Sequence, residues 1–306
     1  MRKRSHGFVI GTCRKTMDTM YADRFWDSPD GLKLHFRDYP ARNAQVNSHP
    51  PILCMHGLTR NSRDFARLAE ILSEEWRVIV PEMRGRGDSE YAKDSDTYNP
   101  MTYVFDVEAL LAQESIERFV AIGTSLGGLM TMLMAAINPD RIAAAVLNDI
   151  GPVVDPSGID RIREYVGQGR SYPSWMHAAR SLNEVHHDSF PKFELEDWLE
   201  MAKRGMVVQQ NGRIAFDYDM TIAEPFAKDE GAAPPDLWPA FQSLAGRPLL
   251  IVRGALSDLL TAETLAEMQR RLPDSASVTI PDIGHAPLLE EPEAVAAIRR
   301  LLAQVQ

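Results

Sequence analysis

The sequence predicts an α/β protein with a mostly parallel sheet, and three observations support this class. Strand-like and helix-like segments alternate four times between residues 32 and 151, and the alternation resumes from residue 247 to the C-terminus. Most of the predicted strands are short continuous apolar runs, as expected for strands that are buried on both faces. The helical segments carry apolar residues at a spacing of three and four. This alternation is typical of crossover connections between parallel strands.

The individual elements follow from local patterns in chain order. Residues 32–40 alternate apolar and polar side chains, as a half-buried strand does. Continuous apolar runs predict the other strands, and periodic apolar positions predict the helices that follow them. The predicted strands are 50–57, 76–81, 118–123, 141–151, 247–254 and 276–285, and the predicted helices are 62–74, 102–115, 126–139, 261–273 and 291–305.

The alternation stops between Pro152 and residue 235, and this break predicts an inserted domain. The segment is mainly helical in pattern, with one strand-like run, "GRIAFDYD", after a predicted Asn211-Gly212 turn. We expect residues 153–235 to form a cap over the carboxyl edge of the sheet, where ligands of such sheets bind. Residues 29–152 and 236–306 then form the core, and the basic residues 1–28 form an N-terminal arm.

Composition narrows the range of partners and locations. The 306 residues are 44% hydrophobic and 25% charged, as in a globular protein, and the net charge of -10 argues against a nucleic-acid surface. Two cysteines are too few for a disulfide framework. No apolar run approaches the length of a membrane span. We therefore expect a cytoplasmic monomer or homodimer that binds a small molecule and neither nucleic acid nor membrane.

A single serine stands between glycines where a predicted strand turns into a predicted helix. The motif is Gly123-x-Ser125-x-Gly127, and the apolar runs on both sides supply the strand and the helix. The glycines relieve crowding in a sharp turn, so the Ser125 hydroxyl can stand clear of it. The start of the helix also favours negative charge nearby. This context predicts that Ser125 is a nucleophile and not an ordinary turn residue.

A serine hydroxyl needs a base, and the base needs an acid to orient it. His285 follows the last predicted strand and is the predicted base. Asp258 follows the preceding strand and is the predicted acid, which gives the chain order serine, aspartate, histidine. Asp149 also ends a strand and also lies between Ser125 and His285, so it is the competing choice. We expect Asp149 instead to orient the entrance to the cap.

The intermediate of acyl transfer also needs hydrogen-bond donors for its oxyanion. We predict the backbone N–H of Leu126, directly after the nucleophile, as one donor. The loop "CMHGLTRNS" after an earlier strand can supply the other, and we predict the N–H of Leu58. His56 in this loop is expected to be a buried structural histidine.

These motifs together resemble the α/β-hydrolase family, of the capped esterase, lactonase and carbon–carbon hydrolase kind. The matching segments are His56-Gly57-Leu58, Arg84-Gly85-x-Gly87-x-Ser89, residues 123–128, Gly254 to Asp258, and Gly284-His285, over a likeness that extends from about residue 32 to the C-terminus. The resemblance implies an eight-stranded sheet with helices on both faces and acyl-enzyme chemistry without a cofactor or metal. Glu82 stands where the family often has aspartate, which we expect to affect packing. The absence of an aspartate at the elbow disfavours dehalogenase and epoxide hydrolase activities.

Four further residues are predicted to line the substrate pocket: Thr59, Arg60, Asp149 and Trp175. Arg60 could meet a substrate carboxylate, although a salt bridge with a neighbour is the simpler expectation. The run His186-His187-Asp188 suggests a metal site, but adjacent helical residues face different directions, so we expect a solvated surface there.

The sequence thus predicts a serine hydrolase that cleaves carboxylic esters of small to medium acyl groups. A lactonase or a carbon–carbon bond hydrolase acting on diketones would use the same residues. A non-catalytic ligand receptor on the same fold is the alternative from a different class, and an intact set of catalytic residues argues against it.

Overall fold

The structure is a computed structural model that describes residues 20–43, 49–228 and 235–305. The first nineteen residues of the predicted N-terminal arm lie outside the described residues. The strands of the described chain are β1 (Ala22–Asp27), β2 (Lys33–Tyr39), β3 (Ile52–Met55), β4 (Val78–Pro81), β5 (Phe119–Thr124), β6 (Ile142–Asn148), β7 (Ser171–Tyr172), β8 (Met206–Val208), β9 (Ile214–Phe216), β10 (Leu249–Gly254) and β11 (Ala276–Ile280). The α-helices are α1 (Ala66–Leu72), α2 (Pro100–Gln113), α3 (Leu126–Ile137), α4 (Pro156–Tyr165), α5 (Trp175–His186), α6 (Leu195–Gly205), α7 (Ala223–Lys228), α8 (Trp238–Gln242), α9 (Ala262–Arg271) and α10 (Pro292–Leu302).

Eight of the strands form one mostly parallel sheet, which confirms the predicted fold class. Their order is β1-β2-β4-β3-β5-β6-β10-β11. The strands from β4 to β11 pair in parallel, whereas β1 and β2 are antiparallel to their neighbours. The carboxyl ends of β3, β5, β6 and β10 therefore lie side by side, and the loops that leave them can meet over one edge.

Helices cover both faces of this sheet and create two apolar layers. Alternate residues of a strand point to opposite faces, so Phe119 and Ala121 of β5 pack into one layer while Val120 and Ile122 pack into the other. The first layer contains buried residues of α2, α3, α8 and α9. The second contains those of α1 and α10. This packing fixes the sheet on which the strand-end loops stand.

The prediction that residues 1–28 form an arm is wrong for its described part. Residues 22–27 form β1, the edge strand that pairs antiparallel with β2. The segment escaped prediction because only Trp26 is buried and its neighbours are exposed and partly charged. Trp26 anchors the strand, since its Nε1–H donates to the carbonyl oxygen of Asp106 at 2.8 Å.

The chain between β6 and α8 builds the elements of the predicted cap. It contributes α4 to α7 and a small sheet of order β7-β9-β8, and the predicted turn at Gly212 has a φ of 77°. Buried residues of α5 and α6 form a separate apolar cluster with β8 and β9, whereas Ile162 of α4 joins the core. Across both cap and core, no helix of the described residues has the length and apolarity needed to cross a membrane.

Candidate active site

The turn between β5 and α3 holds Ser125 in a strained conformation. Ser125 has φ 52° and ψ −113°, a region that non-glycine residues avoid. The neighbouring positions 123 and 127 have no space for a side chain larger than that of glycine. A Cβ on Gly127 would lie 2.0 Å from the Met55 carbonyl oxygen, and one on Gly123 would lie 2.3 Å from the carbonyl carbon of Gly127. The close approach of α3 to β3 and β5 therefore forces the sharp turn that presents the serine hydroxyl.

A continuous chain of hydrogen bonds connects this serine to a histidine and an aspartate. The distance from His285 Nε2 to Ser125 Oγ is 2.9 Å, and the distance from His285 Nδ1 to Asp149 Oδ2 is 2.8 Å. The Asp149 carboxylate is fully buried, and the His285 side chain is nearly so. An ionised Asp149 can only accept, so Nδ1 carries a proton and Nε2 of the neutral ring is free to accept the serine proton.

Asp149 sits in the loop directly after β6 with a φ of 56°. Its carboxylate accepts hydrogen bonds from the Gly254 N–H at 2.8 Å and from the Ser257 hydroxyl at 2.6 Å, in addition to the one from His285. These three donors stabilise a buried negative charge. The expectation that Asp149 orients the cap entrance and lines the pocket is wrong, because the residue lies beneath His285 and outside the cavity wall.

The prediction that Asp258 is the partner of His285 is also wrong. The Asp258 carboxylate binds the Arg161 guanidinium of α4 instead, at 2.5 and 2.9 Å. Burial alone would raise the pKa of Asp258, but the hydrogen bonds and charge of Arg161 outweigh it and lower the pKa. Because β6 and β10 are neighbours in the sheet, both aspartates end up near His285, and chain order alone could not separate them.

Two polar residues that the sequence analysis did not single out hold this arrangement together. The Asn148 side-chain amide donates to Thr124 Oγ1 at 3.0 Å and to the Pro287 carbonyl oxygen at 2.8 Å, so it ties the nucleophile turn to the histidine loop. Ser257 Oγ accepts from the N–H groups of Leu259 and Leu260 while it donates to Asp149. The only sequence signal for either residue is its position beside a candidate aspartate.

The two predicted oxyanion donors belong to the loop after β3 and to the first residue of α3. Neither the Leu58 N–H nor the Leu126 N–H has a hydrogen-bond acceptor among the residues that the structure describes. Leu58 lines the cavity that contains Ser125, and Leu126 begins α3. The arrangement leaves both donors available to a ligand, and their role in catalysis stays a prediction.

His56 supports the loop that carries Leu58, as expected for a structural histidine. The Met83 N–H donates to His56 Nε2 at 3.1 Å, so the proton of the neutral ring is on Nδ1, which donates to the Gly57 carbonyl oxygen at 2.7 Å. Burial lowers the pKa of His56 to about 4. The ring is therefore neutral at physiological pH and braces the loop without acting as a second base.

A cavity of about 160 Å³ opens on Ser125 and His285 beneath the cap. The core contributes Thr59 and Arg60, as predicted. Trp175, also predicted to line the pocket, lies outside the wall and packs on the apolar cluster of α5 and α6. The cap contributes mostly apolar and aromatic side chains, among them Ile162, Tyr165, Tyr172, Leu182, Phe190, Met201, Phe216 and Tyr218. Such a wall suits a small molecule with a modest polar content.

The polar residues of the cavity wall include an arginine–aspartate pair and a histidine of the cap. Arg60 binds Asp64 through two hydrogen bonds of 2.6 Å, which is the salt bridge expected as the simpler interpretation. His186 also lines the wall, so the expectation that its segment is only a solvated surface is wrong for this residue. Burial, assisted by Arg161 and Arg60, lowers the pKa of His186 to about 4, and the ring is uncharged at neutral pH.

The candidate metal ligands lie elsewhere, and two of the three are paired with each other. Among the described residues, the group that could hold an ion is His35, Glu82 and Asp88. His35 Nδ1 lies 2.9 Å from Glu82 Oε2, and Glu82 also accepts from the Ser62 hydroxyl and the Asp88 N–H. Through these hydrogen bonds Glu82 connects β2, the turn at residue 62 and the loop after β4. This role agrees with the expectation that the residue affects packing.

Comparisons with known proteins agree with the fold. A family model described as the alpha/beta hydrolase fold matches residues 50–292. The chain is 36% identical over 252 residues to a 3-hydroxybutyrate-oligomer hydrolase of Cupriavidus necator, covering 80% of this chain and 85% of that one. It is 26% identical to a 2-(acetamidomethylene)succinate hydrolase of Mesorhizobium japonicum, covering 79% and 83% of the two chains. A crystal structure of an alpha/beta hydrolase from Novosphingobium aromaticivorans superposes with a TM-score of 0.89 at 61% identity, covering 94% of this chain and 99% of that one.

Proposed function

Since the chain belongs to the α/β-hydrolase family, we propose that it is a serine hydrolase that cleaves carboxylic esters through an acyl-enzyme intermediate. The observation that carries the proposal is the hydrogen-bond chain from Ser125 Oγ through His285 to Asp149, with distances of 2.9 and 2.8 Å. A buried carboxylate, a neutral imidazole and a strained serine are the arrangement that activates a hydroxyl for acyl transfer. The similarity to a hydrolase of 3-hydroxybutyrate oligomers supports ester cleavage, because such oligomers are joined by ester bonds.

The first half of the proposed reaction forms the acyl-enzyme. Ser125 Oγ attacks the ester carbonyl carbon while His285 Nε2 takes the hydroxyl proton, and Asp149 stabilises the resulting imidazolium. The negative charge moves to the carbonyl oxygen, where the N–H groups of Leu58 and Leu126 receive it. His285 then gives its proton to the leaving alcohol as the carbon–oxygen bond breaks.

The second half returns the enzyme to its starting state. A water molecule gives a proton to His285 Nε2 and attacks the acyl carbon. The same two N–H groups bind the second oxyanion. When the bond to Ser125 Oγ breaks, the proton passes from His285 to the serine, and the carboxylic acid leaves.

Replacing the nucleophile tests the proposal. Ser125→Ala should remain folded and lose ester hydrolysis by about three orders of magnitude or more, since residual catalysis comes only from binding and the oxyanion donors. Ser277→Ala changes an exposed serine of β11 and serves as the matched control. Initial rates on p-nitrophenyl butyrate and circular dichroism of both variants provide the measurement, and near-full activity of Ser125→Ala would overturn the proposal.

Covalent labelling and a substrate panel distinguish the proposed function from its alternatives. A fluorophosphonate should label wild type at Ser125 and leave Ser125→Ala unlabelled, whereas a ligand receptor would bind without covalent turnover. A panel of p-nitrophenyl esters, lactones and ring-cleavage diketones compares the three reactions that these residues support. We expect the esters to have the highest kcat/KM.

A further inference from the structure

The charges in the wall of the catalytic cavity do not cancel. Of the residues that line it, three carry a formal charge at neutral pH: Arg60, Asp64 and Arg170. Burial opposes ionisation of Asp64, but the charge and hydrogen bonds of Arg60 outweigh it and lower the pKa of this carboxyl. Arg60 and Asp64 therefore form an ionised pair with no net charge. The remaining charge of the wall is the guanidinium of Arg170.

Arg170 is an exposed residue that lines the cavity without a carboxylate partner among the described residues. No carboxylate of the described residues forms a salt bridge or hydrogen bond with its guanidinium. Its backbone position is defined nonetheless, because Ser171 and Tyr172 pair with β9 as strand β7. The guanidinium of Arg213 donates to Ser171 Oγ at 2.7 Å, which adds a second positive charge next to this segment. A protein of net charge -10 thus presents a locally cationic site to its substrate.

The other polar side chains of the wall do not offset this charge. His186 is neutral, and Tyr172 and Ser181 hydrogen-bond to each other at 3.0 Å. Arg170 is exposed to solvent where it lines the cavity, and an anion there would meet a guanidinium without a carboxylate partner among the described residues. Hydrogen bonds between two charged groups are stronger than those between neutral groups. Arginine also binds carboxylates through two parallel hydrogen bonds and so fixes their orientation.

We propose that Arg170 binds a free carboxylate on the substrate, so that the preferred substrates are esters whose alcohol part is a hydroxy acid. This inference rests on the proposed esterase function and adds the substrate class. In such an ester the carbonyl lies at Ser125 while the carboxylate of the leaving hydroxy acid contacts the cap. Linear dimers and short oligomers of hydroxy acids have this chemistry, because each carries an ester bond and one terminal carboxylate.

A pair of substrates that differ only in charge tests the proposal. The linear dimer of 3-hydroxybutyrate is compared with the same dimer whose terminal carboxyl is a primary amide, and release of the monomer is followed by chromatography. Wild type should prefer the carboxylate form. Arg170→Gln should lower kcat/KM for the carboxylate dimer by about tenfold or more, as expected for the loss of one charge-assisted contact, and change the amide dimer by less than about threefold.

Arg180→Gln is the matched control. Arg180 is an exposed arginine of α5 in the same cap, it is absent from the cavity wall, and its replacement removes the same charge. It should leave both dimers within about twofold of wild type, whereas an equal loss in the two variants would point to general cap electrostatics and overturn the assignment. A carboxylate-to-amide ratio that Arg170→Gln leaves unchanged would overturn it as well.

The outcomes also separate this inference from the function on which it rests. If wild type cleaves p-nitrophenyl butyrate but neither dimer, the substrate class is wrong and the esterase function stands. If wild type cleaves none of the three compounds and resists the fluorophosphonate, both proposals fail.

Discussion

The loops after β6 and β10 each place an aspartate near His285, but the two carboxylates differ in burial and in hydrogen-bond partners. Asp149 is fully buried and accepts three hydrogen bonds, one of them from His285. Asp258 keeps about a third of its side chain exposed and binds Arg161 on the cap. The first carboxylate lies at the edge of the sheet, and the second connects the core to α4 of the cap.

The difference shows which carboxylate suits the role of acid in the proposed triad. A buried charge must be compensated by fixed donors, and Asp149 obtains them from a backbone N–H, a hydroxyl and the imidazole. Asp258 obtains its compensation from a guanidinium, which would compete with an imidazole for the same oxygens. Proximity to the histidine is shared by both residues, whereas the surrounding donors are not.

The largest effect should come from removing the charge of the buried aspartate. Asp149→Asn should lower kcat by about three to four orders of magnitude, because an amide no longer stabilises the imidazolium and favours the wrong tautomer of His285. Steady-state rates on p-nitrophenyl butyrate provide the measurement. Asp258→Asn is the matched control, and if its loss equalled that of Asp149→Asn the two roles would have to be reassigned.

A smaller effect is expected from the hydroxyl that supports the buried aspartate. Ser257→Ala removes one of three donors to Asp149 and should lower kcat by about three- to tenfold, with KM little changed. The comparison of kcat with KM is the second readout, because an effect confined to kcat indicates a change in the reaction and not in substrate binding. Ser257→Thr keeps a hydroxyl and should recover most of the rate, whereas equal losses in both variants would indicate a packing defect.

The smallest effect on the chemistry should come from the exposed aspartate, and it should be seen mainly in stability. Asp258→Asn should keep kcat within about threefold and lower the free energy of unfolding by about 1 kcal/mol or less, as partly exposed pairs do. Arg161→Gln should have a similar effect, and the double variant should cost little more than either single variant.

The pH dependence of this stability difference has a defined sign. Because Arg161 depresses the pKa of Asp258 in the folded protein, the pair stabilises the fold above the unfolded pKa near 4, and the contribution is lost as pH falls through the lower folded value. Urea unfolding of wild type and Asp258→Asn should differ at pH 7 and converge near pH 3. A difference that grows in acid would contradict the ion pair.

Much of the fold could be predicted because strand and helix periods are local properties of the chain. One exception, β1, is an edge strand with one buried residue, so its pairing with β2 is visible only in three dimensions. The turn at Ser125 was predictable because its glycines are a local steric requirement. The choice between Asp149 and Asp258 was not, since it depends on donors such as Gly254 that the fold brings together from distant positions.

The pocket was the least predictable part because helical segments of the cap carry no motif for the side chains that face inward. The sequence around His186 favours a solvated surface, although α5 turns this residue toward the cavity. Trp175, eleven residues earlier on the same helix, packs into the cap cluster instead. The orientation of a helix about its axis decides both positions, and only tertiary packing fixes it.

The separate apolar cluster of α5, α6, β8 and β9 has a consequence for how this enzyme can diversify. The candidate active site lies at the sheet edge, where positions such as Gly127 have no space for a larger residue. The inner surface of the cap, with residues such as Leu182, Phe190 and Met201, is supported by its own cluster. Substitutions confined to that surface can therefore change which molecules bind in the cavity. The hydrogen-bond chain at the edge of the sheet would keep its geometry.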